Sequence, residues 1–524
     1  MLCATALMLP AVGLMAFAPP GAALAGGGDG HDDFRGHPQH GCKHYDGDQQ
    51  LCLDAQDLNT AWRDYLATID DVTDQLQQSS NYEIDPTGLY DIQSGMIITN
   101  IMSQFGSAGS GIRANRPRWS FFDTPDVRIG IDNPDTRYLS AVIPNTDGQQ
   151  VFKVYGNRSN TCDQIILTLD PANPMGGGDT LEDEDMFNTG GGPLGPNEDY
   201  EVYLSAASER DPSWLNWLEI ADSADATVHH RYTVCNYHTE RPGDVFVERV
   251  GTEGVPIPAE DFRDPVALAE GIRRGTAVLA NQQPFWAGFA ELVQNSGLPT
   301  NTIAPWGATG GLGITTQLNT NSWLTIPDGM ALVLKVRTDY PGAYGSWMLY
   351  NGWGSSLQWG SNMVNGSFEI EGSAGNSYFS PSAIAEPIPP ALCQIPGSDP
   401  ASCEGTDPSN PGKAQYTYVV ISNDDIVATH PLTDEQVVPH NWMTTMGHSP
   451  VYLAGRLQSV LDEADFDMVS GVGGWMPIGF LVPEAAITPF SPALPADFQW
   501  SSEDDRTAQI RERQIYQQEK YAPW

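Results

Sequence analysis

Basic side chains are scarce in this sequence. Among 524 residues, 25 are Lys or Arg against 66 Asp or Glu, giving a formal net charge of −41. The lysines are five: Lys43, Lys153, Lys335, Lys413 and Lys520. Nucleic acids and anionic lipid surfaces are gripped by basic stripes that release counterions, so neither is an expected partner. Catalytic signatures are missing too. There is no P-loop, dinucleotide glycine fingerprint, Gly-x-Ser-x-Gly elbow or His-Glu-x-x-His pair, which leaves nucleotide chemistry, serine hydrolysis and zinc proteolysis without support. No Cys-x-x-Cys pair is present to hold zinc. After residue 25 no apolar run is long enough to span a bilayer.

What is present points outward from the cell. Residues 2–25 form an apolar run that ends in Ala23-Leu24-Ala25, the small-residue end that signal peptidase accepts. A membrane anchor is the rival reading, disfavoured by Pro10, Pro19 and Pro20. We therefore expect a signal peptide at 1–25, export to the periplasm or beyond, and no transmembrane anchor after cleavage. Six cysteines follow, an even number that reads as disulfides in an exported chain. Cys42–Cys52 and Cys393–Cys403 would close local loops, and Cys162–Cys235 would staple two strands.

The length suggests two or three packed units. A Gly/His/Asp-rich head (26–56) reads as flexible, with His31, His37, His40 and His44 as weak metal ligands at most. An N-terminal helical unit (57–117) follows, with Asp85-Pro86 opening its second helix. Period-two alternation then predicts a first β-sandwich region (118–258), with strands at 150–158, 164–170, 200–206 and 226–238. Pro171 to Asp199 reads as a loop. Its acids at 179–185 would suit calcium, but the spacing is not that of an EF-hand and a solvated loop is the simpler reading. No other cofactor and no metal centre is expected: within a continuous strand His229 and His230 point to opposite faces and His238 is too far from His230 to share an ion with it. A helical insertion (259–299) is predicted in two segments, restarted at Pro284. A second β-sandwich region (300–500) and a C-terminal helix (501–524) with a Ser502-x-x-Asp505 capping box complete the chain. The expected fold is mainly β with helical additions, built on two jelly-roll-like sandwiches.

Three stretches carry candidate chemistry. Asp132-Asn133-Pro134-Asp135 and Tyr138 form a polar turn entering a strand. Trp347, Trp353 and Trp359 offer aromatic faces, either buried or stacked on a ligand. Asn441, Trp442, His448 and Arg456 supply an amide, an aromatic wall, an acid–base group and an anion clamp. The two polar turns are expected to converge, with Asp132 or Asp135 orienting His448 as general base and Asn133, Tyr138, Trp353, Asn441, Trp442 and Arg456 binding substrate. The alternative is a folding role, with Asn133 and Asn441 capping turns.

In order and spacing these motifs resemble the bacterial domain of unknown function 1214 family, whose members often also carry domain 1254. The matching residues are Trp119, Asn133, Pro134, Asp135 and Tyr138, then Leu349, Tyr350, Trp353, Ser356 and Leu357, then Asn441, Trp442, Thr445, Gly447 and His448, with the closing helix at Arg506–Lys520. The resemblance implies jelly-roll-like domains and no particular activity. The sequence thus supports an exported hydrolase or lyase acting on a glycan or similar polar substrate, or a non-catalytic ligand-binding or cell-envelope protein. It does not fix the oligomeric state.

Overall fold

The structure is a computed structural model describing residues 49–101, 115–121, 133–145, 148–170, 173–221, 226–234, 239–255, 265–294, 300–301, 303–304, 306–308, 317–337, 344–357, 384–387, 413–458 and 477–519. It divides into residues 1–56 and 57–524. Of the first unit the described part is the opening of helix α1 (Gln49–Gln77), which begins inside the stretch expected to be flexible. Cys52 in that helix is disulfide-bonded, and so, separately, is Cys162 of the second unit. The other cysteines, the predicted signal peptide, the histidine-rich head, Asp132 and Trp359 lie outside the described residues.

Within the second unit α1 runs on through its apolar stripe and is followed by α2 (Ser80–Ile84) and α3 (Gly88–Asn100). A fourth helix, α4 (Pro265–Gln294), is continuous through Pro284, where two segments were predicted. Proline removes one backbone donor and crowds the preceding turn, yet the turns on either side carry the helix on. Tyr65, Val72 and Leu76 of α1, Leu89, Ile92 and Met96 of α3, and Ala269, Ile272 and Leu279 of α4 bury one shared apolar face. The helix α5 (Glu503–Glu519) starts as its capping box predicts, with the Asp505 amide donating to Ser502 Oγ at 3.0 Å.

The first β region contains β1 (Ser120–Phe121), β2 (Thr136–Ile143), β3 (Phe152–Asn157), β4 (Asp163–Asp170), β5 (Asn173–Glu182), β6 (Asp199–Ser205), β7 (Trp217–Glu219), β8 (Ala226–Thr233) and β9 (Val245–Arg249). They form two sheets, β1-β2-β8-β4-β5 and β7-β6-β3-β9. Leu139, Ile143, Ile166 and Val228 from the first share one core with Phe152, Val154, Val202, Leu204 and Val247 from the second. Strand β5 corrects the predicted loop. Its backbone pairs antiparallel with β4, which satisfies the amides of a glycine-rich segment that shows no alternation of its own.

The second β region comprises β10 (Gly307–Ala308), β11 (Leu318–Leu324), β12 (Met330–Arg337), β13 (Tyr344–Tyr350), β14 (Ile384–Pro387), β15 (Lys413–Ser422), β16 (Ala428–Thr429), β17 (Gln436–Pro439), β18 (Asn441–Thr444), β19 (Val451–Gln458), β20 (Ile478–Pro483) and β21 (Trp500–Ser502). The sheets are β10-β11-β19-β13, β14-β15-β12-β20 with β18 parallel to β15, and β16-β17-β21. Trp347 and Leu453 from the first pack with Val333, Val420 and Val482 from the second. Here Trp306 and Trp347 meet edge-on with centroids 5.6 Å apart. Gly455 makes room for them: a Cβ there would lie 2.9 Å from Trp306 and 3.0 Å from Trp347.

Every residue of β2, β13 and β19 is buried. Strands buried on one face alternate; these are covered on both. One face belongs to its region's core. The other faces the neighbouring region, and the two are joined by hydrogen bonds from Tyr344 Oη to Asp135 (2.8 Å) and from Thr233 Oγ1 to Gln458 (3.1 Å).

Candidate functional site

The clearest acid–base pair joins the helical unit to the second β region. Asp85 lies between α2 and α3. Its Oδ1 accepts from the Gly88 amide and the Thr87 hydroxyl, both at 2.9 Å, and its Oδ2 accepts from the Gly352 amide at 3.1 Å. His448 Nδ1 stands 3.2 Å from the same Oδ2. The Trp353 indole donates to the Asp85 carbonyl at 2.7 Å. Gly88 must lack a side chain here, because a Cβ would fall 2.4 Å from the Asp85 carboxylate. Burial alone would push the Asp85 carboxyl up; the hydrogen bond and charge of His448, with the Gly88 and Thr87 donors, outweigh it and hold the pKa at about 2.

The turn after β18 presents His448. Thr444 Oγ1 accepts from the Met446 amide at 2.9 Å, and the His448 amide closes the turn on the Thr445 carbonyl at 3.0 Å. Met446 and Gly447 adopt φ of 53° and 80°, left-handed values that cost a non-glycine residue of order 1 kcal/mol. With Nδ1 held at the carboxylate, Nε2 faces away from it, and the side chain keeps 18% of its surface exposed. That arrangement can accept a proton from a bound molecule.

The structure does not bring Asp135 to His448. Asp135 and Asn133 accept from Tyr344 Oη, at 2.8 and 3.1 Å, at the start of β13. His448 meets Asp85 beside Gly352, past the end of β13, and six strand steps span about 20 Å. The two polar turns therefore serve opposite ends of one strand. Asn441 donates to Thr417 Oγ1 at 2.8 Å and to the Tyr418 carbonyl, fixing β18 on β15. Trp442 donates to Ser422 Oγ at 2.6 Å and lies under the Arg506 guanidinium, a packing role rather than a wall for His448. Trp353 does stand at the Asp85–His448 pair, as a buried donor.

Tyr138 and Arg456 lie elsewhere, on the two sides of the layer between the β regions. The guanidinium of Arg231 on β8 lies 5.4 Å from the Tyr138 ring, and Arg456 on β19 donates to Tyr350 Oη at 2.9 Å. His229 shares this layer; burial, helped by the charge of Arg231, pulls its pKa down to about 3. His230 points the other way, into the core, where Tyr200 Oη lies 2.9 Å from Nε2. The two histidines thus face opposite sides as their adjacency predicts.

The acids at 179–185 do not converge. Asp183 forms an ion pair with Arg158, Asp179 accepts from the Glu219 amide, and Glu182 is buried in the layer. Among the described residues no group of three or more His, Cys, Asp or Glu could hold a metal ion.

No family model and no curated protein matches the chain. Among solved structures, an uncharacterised protein from Burkholderia cenocepacia aligns with TM-score 0.56 over 83% of this chain and 100% of its own, at 19% identity. The VPA0106 protein from Vibrio parahaemolyticus aligns over 75% of this chain and 99% of its own, at 11% identity and TM-score 0.35. The first alignment shows a shared fold.

Proposed function

We propose that the chain is an exported hydrolase or lyase acting on an extracellular glycan or similar polar substrate, with His448 as general base and Asp85 as its orienting partner. The observation that carries this reading is the pair itself: a carboxylate held ionised by four donors fixes one imidazole nitrogen and leaves the other for substrate. Two pairs of sheets, each sharing one core, support a reading as two jelly-roll-like sandwiches. Membership of the domain of unknown function 1214 family rests on the order of the three motifs. The bonded state of Cys162 supports a Cys162–Cys235 staple and, with the apolar leader, export.

A panel of polysaccharides and esters tests the activity. Turnover by the purified chain should fall by about 10²-fold in His448→Gln, with the melting temperature retained. An inactive wild-type protein, or full activity in His448→Gln, refutes it. The second reading, a non-catalytic ligand-binding protein, is favoured by the polar layer that holds Arg231 and Arg456.

A further inference from the structure

Strand register fixes which side chains face each other across that layer. On the first wall Tyr138, Arg231, Ile165 and Glu182 lie in one row across β2, β8, β4 and β5. On the second, Ser346, Arg456 and Asn319 lie in one row across β13, β19 and β11. The walls are pinned together at one end by the Thr233–Gln458 and Tyr344–Asp135 hydrogen bonds. Arg231 and Arg456 come next, each within reach of the other's charge.

Beyond the arginines both walls turn apolar without joining. Ile165 and Leu167 form one small cluster, with Leu169 against it. Met348, Tyr350, Tyr452 and Ala454 form another, with Trp323 against it. Both clusters are buried, yet they do not merge into one core. Two buried polar atoms lacking a hydrogen-bond partner lie on the same surfaces, Arg231 Nε and Trp323 Nε1. Arg231 forms no ion pair and no hydrogen bond with any described residue. Native interiors leave few such atoms, and these two face the layer from opposite walls.

We propose that this inter-sheet layer binds an amphipathic organic carboxylate, its head on Arg231 and its apolar body between Ile165–Leu167 and Met348–Tyr452. A planar guanidinium matches a carboxylate through two parallel N–H bonds. The local charge favours a monoanion over phosphate: Asp163 and Glu182 sense the same guanidinium, so two acids already offset the two arginines. His229, neutral in this environment, adds no charge. The site is independent of His448 and does not require the chain to be an enzyme.

Isothermal titration calorimetry on the full chain at pH 7, with octanoate, octan-1-ol and inorganic phosphate, tests it. Octanoate should bind, octanol about tenfold or more weakly, and phosphate not at all; Arg231→Met should abolish the preference for octanoate. Ala454→Phe, which adds bulk to the apolar wall without touching the arginines, should weaken octanoate and octanol alike by about tenfold and decides the matter if Arg231→Met does not fold. No octanoate binding, equal affinity for octanol, tighter binding of phosphate, an octanoate preference that survives Arg231→Met, or unchanged binding in Ala454→Phe overturns the proposal.

Discussion

Replacing Asp85 by Asn keeps the shape of the side chain and removes its charge. In the folded chain the Asp85 pKa is lowered from 3.8 to about 2. A carboxyl whose folded pKa is depressed stabilises the fold fully above its unfolded pKa, and that stability is lost as pH falls through the folded value. A shift of nearly two units corresponds to about 2 kcal/mol at pH 6, shrinking to about 1 kcal/mol near pH 3. Asp85→Asn should therefore unfold more easily than the wild type at pH 6, with the gap closing by about half at pH 3. Urea denaturation followed by tryptophan fluorescence across pH 3–7 measures both arms. A gap that stays constant with pH would refute the reasoning, because it would mean that the charge on Asp85 contributes nothing to holding the helices.

Two further outcomes follow from packing and burial. Gly455→Ala should destabilise the fold by about 1–3 kcal/mol, since the new methyl meets the rigid ends of two indoles; an unchanged urea midpoint would show that Trp306 and Trp347 move aside freely. His229, held at about 3 against an ordinary 6.5, binds a proton more readily in the unfolded chain, so stability should fall as pH drops from 6.5 toward 3. His229→Gln should flatten that limb of the stability profile measured by thermal melts, and a profile as steep as the wild type's would exclude His229 as its source.

Much of the fold was legible where one face of an element is wet. β6 alternates between buried and less buried positions and α1 shows its stripe, because solvent on one side imposes a period, whereas β11 alternates too and was not read as a strand. β5 escaped because its register comes from β4 and not from its own side chains. Pro284 looked like a break because a missing donor is visible in sequence and compensation by neighbouring turns is not. The candidate site was legible in half. His448 was recognised, but its partner was sought in the Asp132–Asp135 turn, since Asp85 before a proline reads as an ordinary helix cap. Asp85 does cap α3, and it spends its second oxygen on Gly352 and His448. Arg231 went unremarked because a lone arginine in a strand carries no sequence signal; only the facing sheet makes it unusual.

The bonding of Asp85 bears on where this protein can be cut. Trp353, from the exit of β13, completes the apolar face that α1, α3 and α4 share, and its indole closes on the Asp85 backbone. A fragment holding the helices alone would expose that face and strip the carboxylate of its Gly352 and His448 donors. The helical unit is contiguous in sequence through α3, but it is not a transferable module: its interior is finished by residues that arrive only after the first β region and the opening strands of the second.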